Sequence, residues 1–558
     1  MNNDVVTEDV YKKNGLRFGD NLIKNQQWVR EEVGRIRGSS EPANISKLVG
    51  GSFNFGLVME FVEGGEPWLA RFPNMDMVMF PDEKMLNEIA VMEYLRDRTS
   101  LPVPEVITYS LTDQSPHGIG PYMITTFIRG GTRLIDLLRE NPADRASALN
   151  LGLSEEVLVK AYRAMAKITL ELSRCVFDRI GSMEKTFSDG RAVWNVEHRR
   201  PVTHCMNETV RCCGMPPELL VQGSFDMADK YFAALVDERM LQLRAQRNAA
   251  DFMSRKDDTR DYMDLCAEDC REKFLARHLF RESVLPNFTA PPSLPTAALF
   301  CDDLSPGNVL VDNDFNIIAV LDWEFSYAAP YQYTCSPPPW LLVCKPGDWI
   351  WDHGKTNFVD TYRPKFELFL KVLRELEDEA AITNDDDGNA AFADCKLPPR
   401  PRLSELMEQS WDDGTFWFVQ GLRNSNDFDQ IYWDCLDERF HGTRASELER
   451  EKLLGEETRR EMELLVERKL EDLKLYNAEL EVFRKMKKME EESQEGEKTK
   501  EVEHENAGEE VEVEGQAEQK NEGKSEEKEA EEGENQDVGK EVEVKGQMEE
   551  GTEEKKWK

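Results

Sequence analysis

One short stretch of the sequence places three polar side chains around a predicted β-hairpin. Asp303 is followed five positions later by Asn308, and two apolar runs come next, Val309–Val311 and Ile317–Leu321. The turn-forming residues between these runs predict that they pair as the strands of a hairpin. Asp322 follows the second run directly. Because such a hairpin can bring Asp303, Asn308 and Asp322 to one end, this stretch constrains the fold more than any other.

Two carboxylates and an amide at one end of a hairpin suit phosphoryl transfer. One carboxylate can orient an acceptor hydroxyl, and carboxylate and amide oxygens can bind the magnesium ion that accompanies the phosphates. The alternative is a loop and hairpin without chemistry, because Asp, Asn, Pro and Gly are the usual residues of turns. These residues alone leave both interpretations open.

The same stretch resembles the catalytic loop of the aminoglycoside phosphotransferase family, the small-molecule branch of the protein-kinase-like fold. The family pattern is His-x-Asp-x-x-x-x-Asn, then a hairpin, then Asp. The resemblance implies that Asp303 is the catalytic residue and that Asn308 and Asp322 bind magnesium. Cys301 stands where the family has His. The segment Phe177–Met183 resembles the fungal-type members of the family.

A glycine-rich turn lies far upstream, within a predicted small sheet. Three apolar runs predict its strands: Ile45–Val49, Leu57–Val62 and Trp68–Phe72. Gly50, Gly51 and Ser52 begin the turn between the first two runs. Glycine lets backbone amides approach phosphate oxygens closely, so the turn can cover a nucleotide. A glycine-rich hairpin is more often only a turn, but its place at the head of a sheet upstream of the Asp303 motif favours nucleotide binding.

A cation and a glutamate follow the turn. Arg71 lies near the end of the third predicted strand, where the resemblance places a lysine on the nucleotide phosphates. Arginine pairs well with phosphate. Apolar residues at spacings of three and four predict a helix over Glu83–Arg98. The resemblance implies that Glu88 in this helix pairs with Arg71; the alternative is a solvated helix charge.

We expect an α+β, bilobal protein-kinase-like fold with a small antiparallel sheet in the N-lobe and a mainly helical C-lobe. The resemblance covers about residues 44–340. The predicted segments are an N-terminal extension (1–43), the nucleotide-binding N-lobe (44–128), the C-lobe with the catalytic loop and an acceptor-site insert (129–440), a charged helix (441–490) and an acidic tail (491–558). In the charged helix, Lys469 interrupts one of two heptad series. A helix lying on or extending from the C-lobe is therefore favoured over a coiled coil.

Charge and composition limit the kinds of molecule that this protein is expected to bind. The net charge of -39 argues against binding to nucleic acid or to an anionic membrane surface. No apolar run is long enough to span a membrane and no secretory signal is visible, and the eleven cysteines include no Cys-x-x-Cys pair. We expect free thiols and a cytoplasmic location. The tail carries 26 acidic against 10 basic residues, which predicts disorder.

Two functions of different classes remain. The first is an ATP- and magnesium-dependent phosphotransferase that acts on a hydroxyl of a small molecule, of the aminoglycoside or choline kinase type. The second is a non-catalytic nucleotide-binding scaffold that recruits a protein through the acidic tail or the long helix. Cys301 and Arg71 favour the scaffold, whereas intact Asp303, Asn308 and Asp322 favour the enzyme.

Overall fold

The computed structural model describes residues 3–144, 146–252, 260–289, 293–386 and 401–519. The strands, in chain order, are β1 (Asn44–Gly50), β2 (Asn54–Glu60), β3 (Trp68–Pro73), β4 (Val106–Ser110), β5 (Tyr122–Thr126), β6 (Thr132–Arg133), β7 (Val176–Phe177), β8 (Glu184–Ser188), β9 (Arg191–Asn195), β10 (Ala297–Cys301), β11 (Val309–Val311), β12 (Ile317–Val320) and β13 (Ser326–Pro330). The α-helices are α1 (Val5–Lys24), α2 (Gln26–Arg37), α3 (Pro81–Arg98), α4 (Glu155–Arg174), α5 (His204–Arg211), α6 (Ala228–Ala245), α7 (Tyr262–Leu279), α8 (Tyr331–Thr334), α9 (Pro346–His353), α10 (Lys355–Asp386), α11 (Leu403–Asp413), α12 (Thr415–Arg423), α13 (Phe428–Ile431), α14 (Asp437–His441) and α15 (Glu456–Gln519).

The first five strands form one antiparallel sheet in the order β1-β2-β3-β5-β4. Side chains alternate between the two faces of a strand. Trp68, Ala70 and Phe72 of β3 therefore enter one apolar core, whereas Arg71 points to the opposite face. The three strands predicted from the apolar runs are confirmed.

Helices α1 and α2 cover the apolar face of this sheet. Phe18 and Leu22 of α1 and Val29 and Val33 of α2 are buried in the same core as the strands. The two helices meet at Asn25. Their buried residues follow the spacing of one amphipathic stripe, so both helices turn the same side to the sheet.

The second region is mainly helical, as expected. Helix α4 lies at its centre and buries a stripe of residues spaced three or four apart, among them Leu158, Ala161, Met165 and Leu172. The helix begins where the Ser154 side chain accepts a hydrogen bond from the backbone N–H of Val157. The fold is thus an α+β arrangement of a small antiparallel sheet and a helical region.

The predicted hairpin is confirmed and fixes the loop before it. Strands β11 and β12 pair antiparallel, with Val309 opposite Val320. Strand β10, which ends at Cys301, pairs instead with β13 and β7. The chain therefore leaves one small sheet and enters another within a few residues, and the loop between them carries Asp303 and Asn308.

Helix α15 packs on the helical region along its first part. Met462, Val466, Leu473 and Tyr476 are buried in the large apolar core. Lys469, which interrupts the heptad series in the sequence, is fully buried, and its Nζ donates to the Gln246 carbonyl at 3.1 Å. The packing of this segment on the body agrees with the favoured interpretation.

The end of this helix differs from the expectation. The sequence analysis ended the charged helix at residue 490 and predicted disorder from 491 onward, whereas α15 continues to Gln519. A shortage of apolar residues prevents a segment from packing against a core, but Glu and Lys are good helix formers and can pair along a helix. The predicted disorder of residues 520–558 falls outside the described residues. Among the described helices, none is both long and apolar enough to cross a membrane.

Candidate active site

Arg71 on β3 lies between the sheet and helix α3. Its Nη1 pairs with Glu88 Oε1, and the Glu88 side chain is only 3% exposed. Burial opposes the charge of this guanidinium, but the carboxylates of Glu88, Asp322 and Glu324 raise the pKa of Arg71 above its ordinary value. The predicted pairing of Arg71 with Glu88 is thus present in the structure.

Asp322 is brought to Arg71 by the end of the β11–β12 hairpin. Arg71 Nη2 donates to Asp322 Oδ1 at 2.5 Å. The backbone of Asp322 is left-handed, with φ 59°, and that of Phe325 is left-handed as well, with φ 58°. Bulky residues seldom adopt this conformation, and such strain persists only where the surroundings hold it. The chain therefore turns sharply on both sides of Glu324.

The thiol of Cys301 contacts the backbone of this turn. The buried thiol lies 3.9 Å from the carbonyl oxygen of Asp322 and 3.7 Å from that of Glu324. Burial raises the pKa of Cys301, so the thiol stays protonated and can donate weakly to both carbonyls. Cys301 thus supports the segment after the hairpin, although a thiol is a poorer donor than an imidazole.

The charge around Asp322 is unbalanced. Burial, together with the carboxylates of Glu324, Glu88 and Asp303, raises the pKa of Asp322 to about 7 despite the opposing effect of Arg71. A carboxyl group with such a pKa is poised between its two protonation states at neutral pH. Added positive charge at this point would favour the ionised carboxylate.

Asp303 and Asn308 lie together on the loop before the hairpin. Asn308 Nδ2 donates to the backbone carbonyl of Asp303 at 2.9 Å and to its Oδ2 at 3.3 Å. The Asp303 side chain stays open to solvent on one side. Desolvation by the surrounding protein, together with the carboxylate of Glu324, nevertheless raises the pKa of Asp303, against the opposing effects of His204, Asn308 and Lys345.

The glycine-rich turn joins β1 to β2 beside this cluster. A Cβ atom added at Gly50 would meet no atom within 4 Å, and one at Gly51 would meet only the Asn54 carbonyl at 3.8 Å. The protein itself therefore does not require glycine at these two positions. Asn54, which follows the turn, donates from Nδ2 to Glu324 Oε2 at 2.8 Å. This contact places the turn next to the segment that carries Asp322.

The family match agrees with this geometry. Residues 57–333 match the model of the phosphotransferase enzyme family. Over these residues, the chain is a member of that family. The match includes β3, helix α3, the catalytic loop and the hairpin, which confirms the resemblance stated from the sequence. Gly50, Gly51 and Ser52 lie just before the matched residues.

The individual proteins similar to this chain are distant. A "Clavilactone A biosynthesis cluster protein Y" from Ampulloclitocybe clavipes is 34% identical over 94 residues, which span 15% of this chain and 22% of that relative. An aminoglycoside phosphotransferase structure is 15% identical with a TM-score of 0.31, covering 72% of this chain and 98% of its own. A macrolide 2′-phosphotransferase type I is 13% identical with a TM-score of 0.31, and the match covers 72% of this chain and 94% of that one. An ethanolamine kinase of Plasmodium vivax is 12% identical with a TM-score of 0.29, and the match covers 71% of this chain and 81% of that one.

Two charged residues of this candidate site were missed from the sequence. Lys84 of α3 is 1% exposed, pairs with Glu324 and lies 3.8 Å from Glu88 Oε2. Lys84 stands four residues before Glu88, so both lie on one face of the helix, and that spacing was a usable signal. Glu324 follows Asp322 by two positions, but only the sharp turn at this segment brings both carboxylates to the same cluster.

A second group of missed residues lies near the loop that carries Asp302 and Asp303. His204 Nδ1 and Lys345 Nζ lie 3.7 Å and 3.8 Å from Glu208 Oε1. Asp302, the neighbour of Asp303, pairs with Arg423 at 3.3 Å. His204 and Glu208 lie in the predicted acceptor-site insert (184–295), and Lys345 and Arg423 lie beyond it. No local pattern gave a signal for these residues, because tertiary packing alone brings them together.

Proposed function

We propose that this protein transfers a phosphoryl group from ATP to a hydroxyl of a small molecule. One observation carries the proposal: Arg71 pairs with both Glu88 and Asp322, so the sheet, helix α3 and the hairpin converge beside Asp303. Phosphoryl transfer relies mainly on positioning and on electrostatic stabilisation, and few protein groups are required. The membership of the phosphotransferase enzyme family supports this class of reaction.

In this proposal, Arg71 holds the phosphates of the nucleotide. A guanidinium that is paired on one side with Glu88 has a fixed orientation, and its remaining donors can bind phosphate oxygens. The backbone of Gly50, Gly51 and Ser52 covers the same phosphates. The empty space beside Gly50 supports this role, because a ligand can approach the backbone there without meeting a side chain.

Asn308 and Asp322 fit a magnesium ion. Both offer hard oxygen donors, and Asn308 uses only its Nδ2 in the hydrogen bonds to Asp303. Among the described residues, no group of three or more His, Cys, Asp or Glu side chains is arranged as a metal site. Magnesium in kinases typically uses one or two protein ligands plus phosphate oxygens and water, so a smaller set suffices.

The charge of the cluster also favours a divalent cation. Arg71 and Lys84 face Glu88, Asp322 and Glu324 directly, and Asp303 adds a further carboxylate nearby. Negative groups therefore exceed positive ones. Magnesium, when bound, supplies positive charge that neutralises the phosphates and the neighbouring carboxylates.

Asp303 orients the acceptor hydroxyl and accepts its proton. Its open side chain can be reached by an acceptor, and its raised pKa brings a carboxylate closer to the range that suits a general base near neutral pH. The hydrogen bond from Asn308 holds its orientation. His204 and Lys345, which both lie beside Glu208, are close enough to lower the pKa of Asp303, so we assign the acceptor to their side of it.

The alternative is a nucleotide-binding scaffold without turnover. Two features favour it. Cys301 stands where the family has a histidine, and Arg71 donates a hydrogen bond to Asp322, which is one of the proposed magnesium ligands. The enzyme is the better account, because a scaffold needs neither an accessible Asp303 nor its hydrogen bond to Asn308. A protein partner for the acidic tail or the long helix stays a prediction under both functions. A cytoplasmic location also stays a prediction, and it is supported by the free thiols of all described cysteines.

A phosphotransfer screen tests the proposal. The full-length protein is incubated with magnesium-ATP and a library of amino sugars, amino alcohols and hydroxy amino acids, and ADP release is measured beside the Asp303→Asn variant. We expect at least one acceptor to stimulate ADP release by the wild type only. A protein that binds ATP equally with and without magnesium, and whose ADP release none of the acceptors stimulates, would be the scaffold instead.

A further inference from the structure

The tip of the glycine-rich turn rests on two rings from distant segments. The centroid of the Phe53 ring lies 5.1 Å from that of Phe325 and 5.4 Å from that of His204, and the last two are 5.5 Å apart. The rings meet at 81°, 86° and 87°, which is the edge-to-face arrangement that aromatic pairs prefer. We call these three rings the aromatic triangle.

His204 reaches the triangle from the insert and is anchored independently of it. Its backbone N–H donates to Asp302 Oδ2 at 3.2 Å, next to Asp303 in the catalytic loop. Its Nδ1 lies 3.7 Å from Glu208 Oε1 on the same helix, α5. His204 therefore has contacts with helix α5 and with the loop beside Asp303 that do not involve the turn.

The turn, in contrast, depends on contacts at its tip. The Phe53 carbonyl accepts a hydrogen bond from the Asn74 N–H at 2.9 Å, and the Gly51 N–H donates to the Asn54 carbonyl at 3.0 Å. No atom lies within 4 Å of a Cβ added at Gly50, so this side of the turn lacks support from the protein. The tip is held by the triangle, by the Arg211 guanidinium 5.8 Å from the centroid of the Phe53 ring, and by the hydrogen bond from Asn54 to Glu324.

We propose that His204 is a positioning residue whose ring is the seat for Phe53 when the glycine-rich turn closes. The ring of His204 lies on helix α5, in the predicted acceptor-site insert. Phe53 lies on the glycine-rich turn, which we propose covers the nucleotide. Closure over the nucleotide therefore requires α5 in the position that borders Asp303, which couples the two halves of the site. The assignment of these halves rests on the proposed function, whereas the seat itself rests on the ring contacts.

Amide hydrogen exchange of the full-length protein tests the seat without any ligand. The peptides to follow contain Gly51 and Asn74, whose N–H groups bond to the tip. His204→Ala removes the ring, and we expect exchange in both peptides to speed up about three- to tenfold, the range that fits the loss of one or two aromatic pairs. His204→Phe keeps a ring but loses the pairing with Glu208, and exchange should stay within about twofold of wild type.

Two further variants sharpen the experiment. His278→Ala is the matched control, because it also removes an imidazole stacked on a phenylalanine, Phe274, but on helix α7; both peptides should exchange as in the wild type. Phe53→Leu removes the ring from the other side and should speed exchange as His204→Ala does. The proposal is wrong if His204→Ala exchanges as the wild type, or if His204→Phe exchanges as fast as His204→Ala.

A nucleotide arm separates this proposal from the proposed function. Magnesium-ATP should slow exchange of the Gly51 peptide in the wild type. The factor by which it slows exchange in His204→Ala should be at least threefold smaller than in the wild type. Equal slowing in both proteins would contradict the coupling. Absence of slowing in the wild type would contradict nucleotide binding at the turn, while the ligand-free comparison still decides whether His204 is the seat.

Discussion

Arg71 and Asp322 are separated by 251 positions in the chain, yet the guanidinium of one lies 2.5 Å from the carboxylate of the other. The contact joins the third strand of the small sheet to the end of the catalytic hairpin. Glu88 of α3 pairs with the other side of the same guanidinium. The single cation therefore connects β3, α3 and the hairpin. Loss of that cation should therefore affect both ligand binding and the local charge balance.

We expect Arg71→Ala to weaken magnesium-ATP binding by about 10- to 100-fold, the range for losing charge-assisted hydrogen bonds to phosphate. Arg71→Lys should retain part of the affinity, because an ammonium still pairs with phosphate. Isothermal titration measures both. Arg35→Ala, which removes an exposed ion pair on α2, is the control and should bind as wild type. Unchanged affinity in Arg71→Ala would mean that another cation binds the phosphates.

Lys84 should matter for stability. It is almost fully buried, and its partner Glu324 is 4% exposed. Removal of one member of a buried pair leaves the other charge without compensation, so we expect Lys84→Met to lower the free energy of unfolding by about 3 kcal/mol. Urea denaturation measures this. Lys160→Met breaks an exposed pair with Glu156 on α4 and should leave the unfolding midpoint unchanged.

The residues proposed for the site were assigned by resemblance to the phosphotransferase family: Asp303, Asn308 and Asp322 from the loop motif, and Arg71 and Glu88 from their places in the third strand and the helix. The elements that hold these residues, β3, α3 and the hairpin, were predicted from apolar runs and turn residues. These features depend on residues close in the chain, where strand and helix periods apply.

The residues that escaped prediction depend on tertiary packing. His204 lies 98 positions before Asp302 in a segment of irregular pattern, and nothing local indicates that it borders the catalytic loop. Lys84 was missed because a lysine on a helix is normally solvated, and burial becomes favourable here only through Glu324 and Glu88. The extent of α15 was missed because low apolar content argues against packing but not against a local helix.

Removal of residues 491–558 should leave the stability of the body nearly unchanged. Among the residues of α15 whose burial the structure describes, the last in the large core is Leu480, and partly buried Phe483 follows it. We expect the melting temperature of the truncated protein to stay within about two degrees of wild type, because a charged segment without apolar surface adds no core. A larger fall would place part of this segment among the contacts that stabilise the body.

Asp322→Asn should damage the magnesium dependence of nucleotide binding. The substitution removes a carboxylate charge from the proposed ligand pair with Asn308, and an amide is a weaker ligand for magnesium. In titrations with ATP, we expect the gain in affinity on adding magnesium to be lost in the variant but present in wild type. A variant that keeps the full gain would exclude Asp322 as a magnesium ligand.

The most direct measurement is the turnover of Asp303→Asn, with an acceptor from the screen or with water as the default acceptor. The variant keeps an oxygen that can accept from Asn308 Nδ2, so the loop should keep its shape and its magnesium-ATP affinity. We predict that turnover falls by about 10²- to 10⁴-fold, the range for the loss of a positioned general base. Full turnover in Asp303→Asn would contradict the mechanism centred on Asp303.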